Sequence, residues 1–231
     1  MFDWLSPEET EAVLLSLRVA AWATVVSLPL GIWIAWVLAR KEFWGKQLLN
    51  GLVHLPLILP PVVTGYVLLT LFGTQGPIGG FLKQFGIVFA FSWTGAVLAA
   101  AVMAFPLMVR AIRLSIESAD YRLEEAARTL GASPMQRFFV ITLPLAMPGI
   151  VTGSILAFAK ALGEFGATIT FVSNIPGETR TVPSAIYSVM QVPGGEDSAM
   201  RLVILAIMLS MAALILSEWL SRRVARVVAG S

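Results

Sequence analysis

The chain has 231 residues, of which 57% are hydrophobic and 13% are charged, with a net charge of +2 and a mean hydropathy of +0.82. Soluble domains carry about 25% charged residues, so this composition excludes a water-soluble globular protein and indicates an integral membrane protein. The absence of cysteine excludes disulfides, thiol nucleophiles and cysteine-ligated metal sites.

Five apolar segments are long enough to cross a membrane as helices, for which about 20 residues are needed. Three of them lie in runs that contain no Lys, Arg, Asp or Glu: Val19–Ala39, Gln47–Leu82 and Gln84–Val109. The predicted spans, within a single domain covering 1–231, are 13–39, 48–73, 88–109, 145–172 and 200–220. A further apolar segment, Thr181–Val192, is short. It is predicted to be an external or re-entrant helix and not a sixth span.

The basic residues predict how these spans are oriented, because Lys and Arg concentrate in the cytoplasmic loops of membrane proteins. One set of segments holds eleven of them: Arg40, Lys41, Lys46, Arg110, Arg113, Arg122, Arg128, Arg137, Arg222, Arg223 and Arg226. The opposite set holds four: Arg18, Lys83, Arg180 and Arg201. With five spans, this bias predicts an external amino terminus and a cytoplasmic carboxyl terminus.

The second predicted span contains three prolines. Pro56, Pro60 and Pro61 remove backbone donors and bend the helix, and the freed carbonyls are tolerated only where protein or water satisfies them. The bend is therefore predicted near a pore or a subunit interface, either as a gate or as a packed kink. His54 is the only histidine, and we expect its ring to be hydrogen-bonded within the protein or at the interface.

A polar loop, residues 110–143, follows the third predicted span. Asp120 is suited to cap a helix over Tyr121–Leu130, and Gly131 is suited to the left-handed residue that ends it. Ser133–Pro134 then starts a second helix. A helix–glycine–helix elbow of this kind indicates either a docking surface for a cytoplasmic partner or a well-folded loop without one.

The fourth predicted span carries two distinctive features. Lys160 and Glu164 lie one helical turn apart, at a depth where ionisable groups usually face a bundle interior or an aqueous cavity. Either Lys160 lowers the barrier for an anion, or the two side chains neutralise each other as a structural pair. Gly149, Gly153 and Ala157 recur every four residues, which predicts a close helix contact, either at a dimer seam or inside the subunit.

One motif in the loop carries a resemblance. The segment begins with Glu125-Ala126-Ala127, continues after three further residues with Gly131, and ends after nine more with Ile141-Thr142-Leu143-Pro144. This order and spacing resemble, without a gap, the EAA signature of ABC-importer permeases. In that family the elbow is a coupling helix seated on the ATP-binding subunit. The resemblance implies this coupling role for Glu125, Ala126, Ala127, Leu130, Gly131, Ser133 and Pro134. The sequence contains no His/Asp/Ser or metal-ligand cluster, so no catalytic or metal-binding residue is predicted. The candidates for lining a pathway or gate are Lys160, Glu164, Pro60 and Pro61.

Two further segments carry a narrower resemblance: Leu162–Thr181 and His54–Pro61. Their sequences look like the corresponding segments of the molybdate permeases, and more loosely like those of the sulfate and thiosulfate permeases. This resemblance implies an all-α, five-span type I importer fold in the bacterial inner membrane. It also implies a homodimer, two ATP-binding subunits and an external oxyanion-binding protein. The alternatives to a molybdate importer are an importer of sulfate, thiosulfate or tungstate, and an anion carrier that works without ATP.

The nucleotide site is expected in a partner subunit. The chain has no G-x-x-x-x-G-K-[ST] phosphate loop, so ATP and Mg²⁺ should bind elsewhere, and we expect this chain to hold no cofactor and to catalyse no reaction itself. Its basic residues are spread along one membrane face, a distribution that gives no support to nucleic-acid binding.

Overall fold

The computed structural model describes residues 5–228, and its secondary structure there is helical. The predicted domain 1–231 extends beyond that range at both ends. The helices are α1 Pro7–Arg40, α2 Lys46–Ile58, α3 Pro61–Phe72, α4 Pro77–Lys83, α5 Trp93–Ser118, α6 Tyr121–Thr129, α7 Pro134–Arg137, α8 Leu143–Leu162, α9 Gly166–Val172, α10 Val182–Val189 and α11 Glu196–Val228. A π-helical turn, Phe138–Thr142, joins α7 to α8.

The predicted count of five spans depends on a bent pair. Within the described residues, four helical stretches are long and apolar enough to cross a membrane: α1, α5, α7 continuing into α8, and α11 up to Leu220. The pair α2 and α3 passes the same test together and supplies the fifth. Five spans are therefore reached when this pair is counted as one.

The predicted second span, 48–73, is two helices bent by 114° and not one kinked helix. Leu59 has the extended backbone (φ −68°, ψ 144°) favoured before a proline. Pro60 is the N-cap of α3 and Pro61 occupies its first turn. Since neither proline has an N–H to donate, the hydrogen-bond ladder of α2 cannot pass through them. Pro56, by contrast, lies within α2 without ending it.

Two other predicted boundaries are wrong for physical reasons. The predicted loop 110–143 begins too early because α5 continues to Ser118; charged side chains end an apolar run without ending a helix. The predicted span 145–172 is interrupted after Leu162, and α9 begins only at Gly166. Glu164 therefore lies in a break between two helices, where the sequence placed it inside one.

Helix α5 forms the centre of the bundle, with α1 and α8 packed against it. A Cβ added to Gly149 would lie 2.2 Å from the Cβ of Ser115, and one on Gly153 would lie 3.0 Å from the carbonyl oxygen of Met108. Ala157 is fully buried. The small residues of α8 therefore allow its close approach to α5, which confirms the internal alternative for this face.

The predicted short helix within Thr181–Val192 is present as α10. Its first residue, Val182, donates its backbone N–H to the Oγ of Ser16 in α1 at 2.7 Å. An apolar cluster that includes Val13, Val182 and Leu202 then joins α10 to α1 and α11. Through these contacts α10 connects the first and last helices of the chain.

Candidate coupling elbow and translocation region

The elbow, residues 120–137, is built by the predicted helix caps. The Asp120 carboxylate accepts a hydrogen bond from the backbone N–H two residues later at 2.9 Å. Gly131 adopts φ +85°, the left-handed conformation that glycine tolerates. Ser133 and Gln136 form a reciprocal capping box, with distances of 3.2 and 2.9 Å, followed by the proline at the first helical position. The cap predictions at these three positions are confirmed.

The elbow presents apolar side chains to its surroundings. Leu130 is 88% exposed and Val140, just beyond the elbow, is 72% exposed. Both line a groove of about 430 Å³. The predicted coupling residues Glu125 and Ala126 are also exposed, and Ala127 is half-buried. Exposed apolar groups collected on one surface mark an interaction site, so the elbow has the character of a docking surface.

Glu124 fixes the elbow to the membrane helices. It is 8% exposed, and its Oε1 accepts hydrogen bonds from Arg40 Nε at 3.0 Å and from Thr142 Oγ1 at 3.0 Å. Arg40 ends α1, and Thr142 ends the π-helical turn that leads into α8. One carboxylate therefore connects the elbow to two long helices. This role of Glu124 was not predicted, because no local pattern in the sequence separates it from the exposed Glu125.

Lys160 and Glu164 form an ion pair, with Nζ 2.5 Å from Oε2. Glu164 is 3% exposed, and its other oxygen accepts the backbone N–H of Ala167 at 3.1 Å. The carboxylate thus pairs with the last turn of α8 and caps the first turn of α9. The Lys160 side chain retains 30% exposure. This geometry favours the structural-pair interpretation of the two residues.

Two helix breaks lie side by side. A Cβ on Gly65 of α3 would lie 2.5 Å from the carbonyl oxygen of Ala167 in α9, and one on Gly166 would lie 2.7 Å from the Cβ of Pro61. The structure therefore brings the break that contains Pro60 next to the break that contains Glu164. The region where α3 crosses α9 therefore contains the four residues predicted for a pathway or gate: Pro60, Pro61, Lys160 and Glu164.

Comparison with known proteins agrees with this architecture. Residues 27–226 match the family described as binding-protein-dependent transport system inner membrane component. The chain is 63% identical over 219 residues to the molybdenum transport system permease protein ModB of Escherichia coli (strain K12), covering 94% of this chain and 96% of that protein. It is 60% identical over 216 residues to the protein of the same name from Haemophilus influenzae, covering 93% and 94%.

A solved bacterial ABC transporter involved in the import of the acidic polysaccharide alginate shares the fold. Its TM-score is 0.76 at 18% identity, with 95% of this chain and 81% of that chain covered. The shared fold therefore extends over nearly the whole of this chain. On the family match and the two relatives, this chain belongs to the binding-protein-dependent transport system inner membrane components, the permeases of ABC importers.

Proposed function

We propose that this chain is the permease subunit of an ATP-driven importer that carries molybdate into the bacterial cytoplasm. The observation that carries the proposal is the 63% identity, across 94% of this chain, to a permease named for molybdenum transport. The matched length is 219 of the 231 residues, so the likeness is not confined to one segment of the chain.

The energetics of the substrate support an ATP-driven system. One charge moving through 100 mV changes the free energy by about 2.3 kcal/mol, and a divalent oxyanion entering a cell that is negative inside faces roughly twice that cost. Accumulation therefore needs an energy source. Because the chain contains no phosphate-loop motif, the proposal places ATP, Mg²⁺ and hydrolysis in a separate subunit and assigns this chain no cofactor.

The proposed assembly is a homodimer of this chain with two ATP-binding subunits and an external oxyanion-binding protein. The distribution of basic residues supports an orientation with the elbow on the cytoplasmic side, the amino terminus outside and the carboxyl terminus inside. Leu130, Gly131 and the neighbouring groove then meet the ATP-binding subunit. This assigns the exposed apolar surface of the elbow to a partner of defined kind.

The contacts of Glu124 suggest how movement is transmitted. When ATP draws the two ATP-binding subunits together, each elbow moves with its subunit. Arg40 passes that displacement to α1, and Thr142 passes it to α8. Where α3 crosses α9, two helix breaks lie side by side, one at Pro60 and Pro61 and one at Glu164, which pairs with Lys160. We assign the gate to this crossing.

The test is the ATPase activity of the complex in liposomes, with the external binding protein supplied empty or loaded with molybdate, tungstate or sulfate. Stimulation by the molybdate-loaded protein, and not by the sulfate-loaded or empty protein, is the expected result. Equal stimulation by sulfate would replace molybdate with a broader oxyanion class. Failure of the chain to form any complex with an ATP-binding subunit would contradict the importer and favour an ATP-independent carrier.

A further inference from the structure

A polar cavity lies between α2 and the last turns of α5, and it shares no lining residue with the groove of the elbow or with the crossing of α3 and α9. Its volume is about 310 Å³, and its lining consists of Asn50, His54, Arg110, Arg113, Leu114 and Glu117. On the proposed orientation it lies towards the cytoplasmic side, because α2 begins and α5 ends there.

Most of the polar groups in this cavity are held in a hydrogen-bonded frame. Arg113 Nε donates to Glu117 Oε1 at 2.7 Å, and Arg113 Nη1 donates to Asn50 Oδ1 at 3.0 Å. His54 Nδ1 lies 2.8 Å from the backbone carbonyl oxygen of Asn50. A carbonyl oxygen only accepts, so this nitrogen carries the hydrogen. The charge of Arg113 is thus offset by Glu117.

Arg110 is the exception. Its side chain is exposed, and within residues 5–228 it makes no hydrogen bond and no ion pair. Its guanidinium has five N–H donors. The amide group of Asn50 adds donors of its own, since only its oxygen is engaged by Arg113. With two arginines and one glutamate, the cavity has a net charge of +1 when His54 is neutral.

We propose that this cavity is a weak binding site for a tetrahedral oxyanion at the inner mouth of the transport pathway, with Arg110 as the residue that contacts the anion. The inference rests on the proposed function, since the oxyanion is the transported substrate. A site along a pathway must bind well enough to draw the ion in and weakly enough to release it. One unpaired arginine beside a neutralised one meets that requirement.

The phosphate of an anionic lipid has the same tetrahedral chemistry, and the experiment separates the two sources. The complete transporter is reconstituted in phosphatidylcholine vesicles, with and without phosphatidylglycerol, and uptake of radioactive molybdate is measured. In phosphatidylcholine alone, Arg110→Gln is expected to lower the uptake rate by about tenfold or more, while Arg110→Lys retains most of it, because loss of a charge-assisted contact to the anion is of this size. Lys83→Gln removes an equal charge from an exposed site outside the cavity and should match the unaltered protein.

A second variant distinguishes loss of anion binding from a folding defect in Arg110→Gln. Asn50→Asp keeps the oxygen that accepts from Arg113 and adds a negative charge to the cavity. Its uptake should also fall by about tenfold or more, because the added charge repels the anion, with the thermal unfolding midpoint and the copurification of the ATP-binding subunit unchanged.

Three results would overturn the site. Equal uptake by the unaltered protein, Arg110→Gln and Asn50→Asp would show that the cavity does not contact the substrate. An effect of Arg110→Gln seen only with phosphatidylglycerol would assign the cavity to a lipid phosphate. Absence of molybdate uptake by the unaltered transporter would contradict the proposed function itself, and the oxyanion site with it.

Discussion

The guanidinium Nε of Arg40 donates to Oε1 of Glu124 at 3.0 Å, which bonds the last turn of α1 to the elbow. Only 11% of each side chain is exposed. Since the same oxygen also accepts from Thr142, the elbow cannot shift without displacing α1, α8 or this carboxylate. The arrangement makes Glu124 the connection between the proposed docking surface and the helices that would carry the substrate.

Glu124→Gln is expected to destabilise the protein and to uncouple it. The variant leaves the Arg40 guanidinium largely buried without its counter-charge, and removing one partner of a buried pair costs about 3–5 kcal/mol. The midpoint of thermal unfolding should fall, and stimulation of ATPase activity by the loaded binding protein should drop, while the docking surface itself is unaltered.

Glu42→Gln is the matched control for this variant. The Glu42 carboxylate also forms an ion pair, with Lys46 at 2.6 Å, but 89% of its side chain is exposed. Exposed pairs contribute about 0–1 kcal/mol, so both readouts should stay near those of the unaltered protein. Equal losses in the two variants would contradict a special role for Glu124.

Leu130→Glu is expected to weaken docking without unfolding the chain. Leu130 is 88% exposed, so the folded subunit gains little from it. Burying a leucine at an interface contributes about 1.5–3 kcal/mol, and the introduced charge adds a desolvation cost. Copurification of the ATP-binding subunit should be reduced by about tenfold or more.

Phe85→Glu makes a similar change at a phenylalanine that is 66% exposed and remote from the elbow in the fold. It should leave copurification of the ATP-binding subunit unchanged. If Leu130→Glu also copurified normally, the elbow would not be the docking surface.

Gly131→Ala and Gly51→Ala are expected to shift stability in opposite directions. Neither added Cβ would meet an atom within 4 Å, but Gly131 has φ +85°, whereas Gly51 lies inside α2. A left-handed non-glycine residue costs roughly 1–2 kcal/mol, while alanine in place of glycine stabilises a helix by about 0.8–1.0 kcal/mol. The measurement is the thermal unfolding midpoint of each variant. Shifts of the same sign would contradict the conformational role of Gly131.

A double-mutant cycle separates the two interpretations of Lys160. If it forms a structural pair with Glu164, Lys160→Gln should lower the unfolding midpoint and transport together, because the buried carboxylate loses its partner. Lys160→Gln combined with Glu164→Gln should then recover much of both, giving a favourable coupling energy. Recovery of stability without recovery of molybdate uptake would instead show that the lysine charge serves the pathway.

The elbow could be predicted from sequence because its helix caps depend on neighbouring residues. Its long-range contacts could not be predicted. The capping roles of Asp120, Gly131 and Ser133 involve backbone groups only a few residues away, so the local sequence predicts them. Glu124 depends on Arg40, which lies 84 positions away. Nothing around Glu124 distinguishes it from a solvated helix residue, and only the folded arrangement of α1 and α6 does so.

The apolar helices show a second limit. A charge-free run of residues identifies a segment that prefers lipid, but it has the same composition whether the helix is straight, bent or broken. The prolines predicted a bend before α3 but not its angle of 114°, and the end of α8 after Leu162, with Gly163 as its C-cap, was not predicted. The crossing of α3 and α9 required the close approach at Gly65 and Gly166, which depends on two distant segments packing together.

The most direct test of the proposed function is molybdate accumulation in sealed proteoliposomes that contain this chain and its ATP-binding subunit, with the loaded binding protein outside and ATP inside. The account predicts uptake that requires both the enclosed ATP and the external binding protein, and that unlabelled sulfate does not suppress. Uptake that proceeds without ATP, or that follows an imposed proton gradient alone, would contradict it.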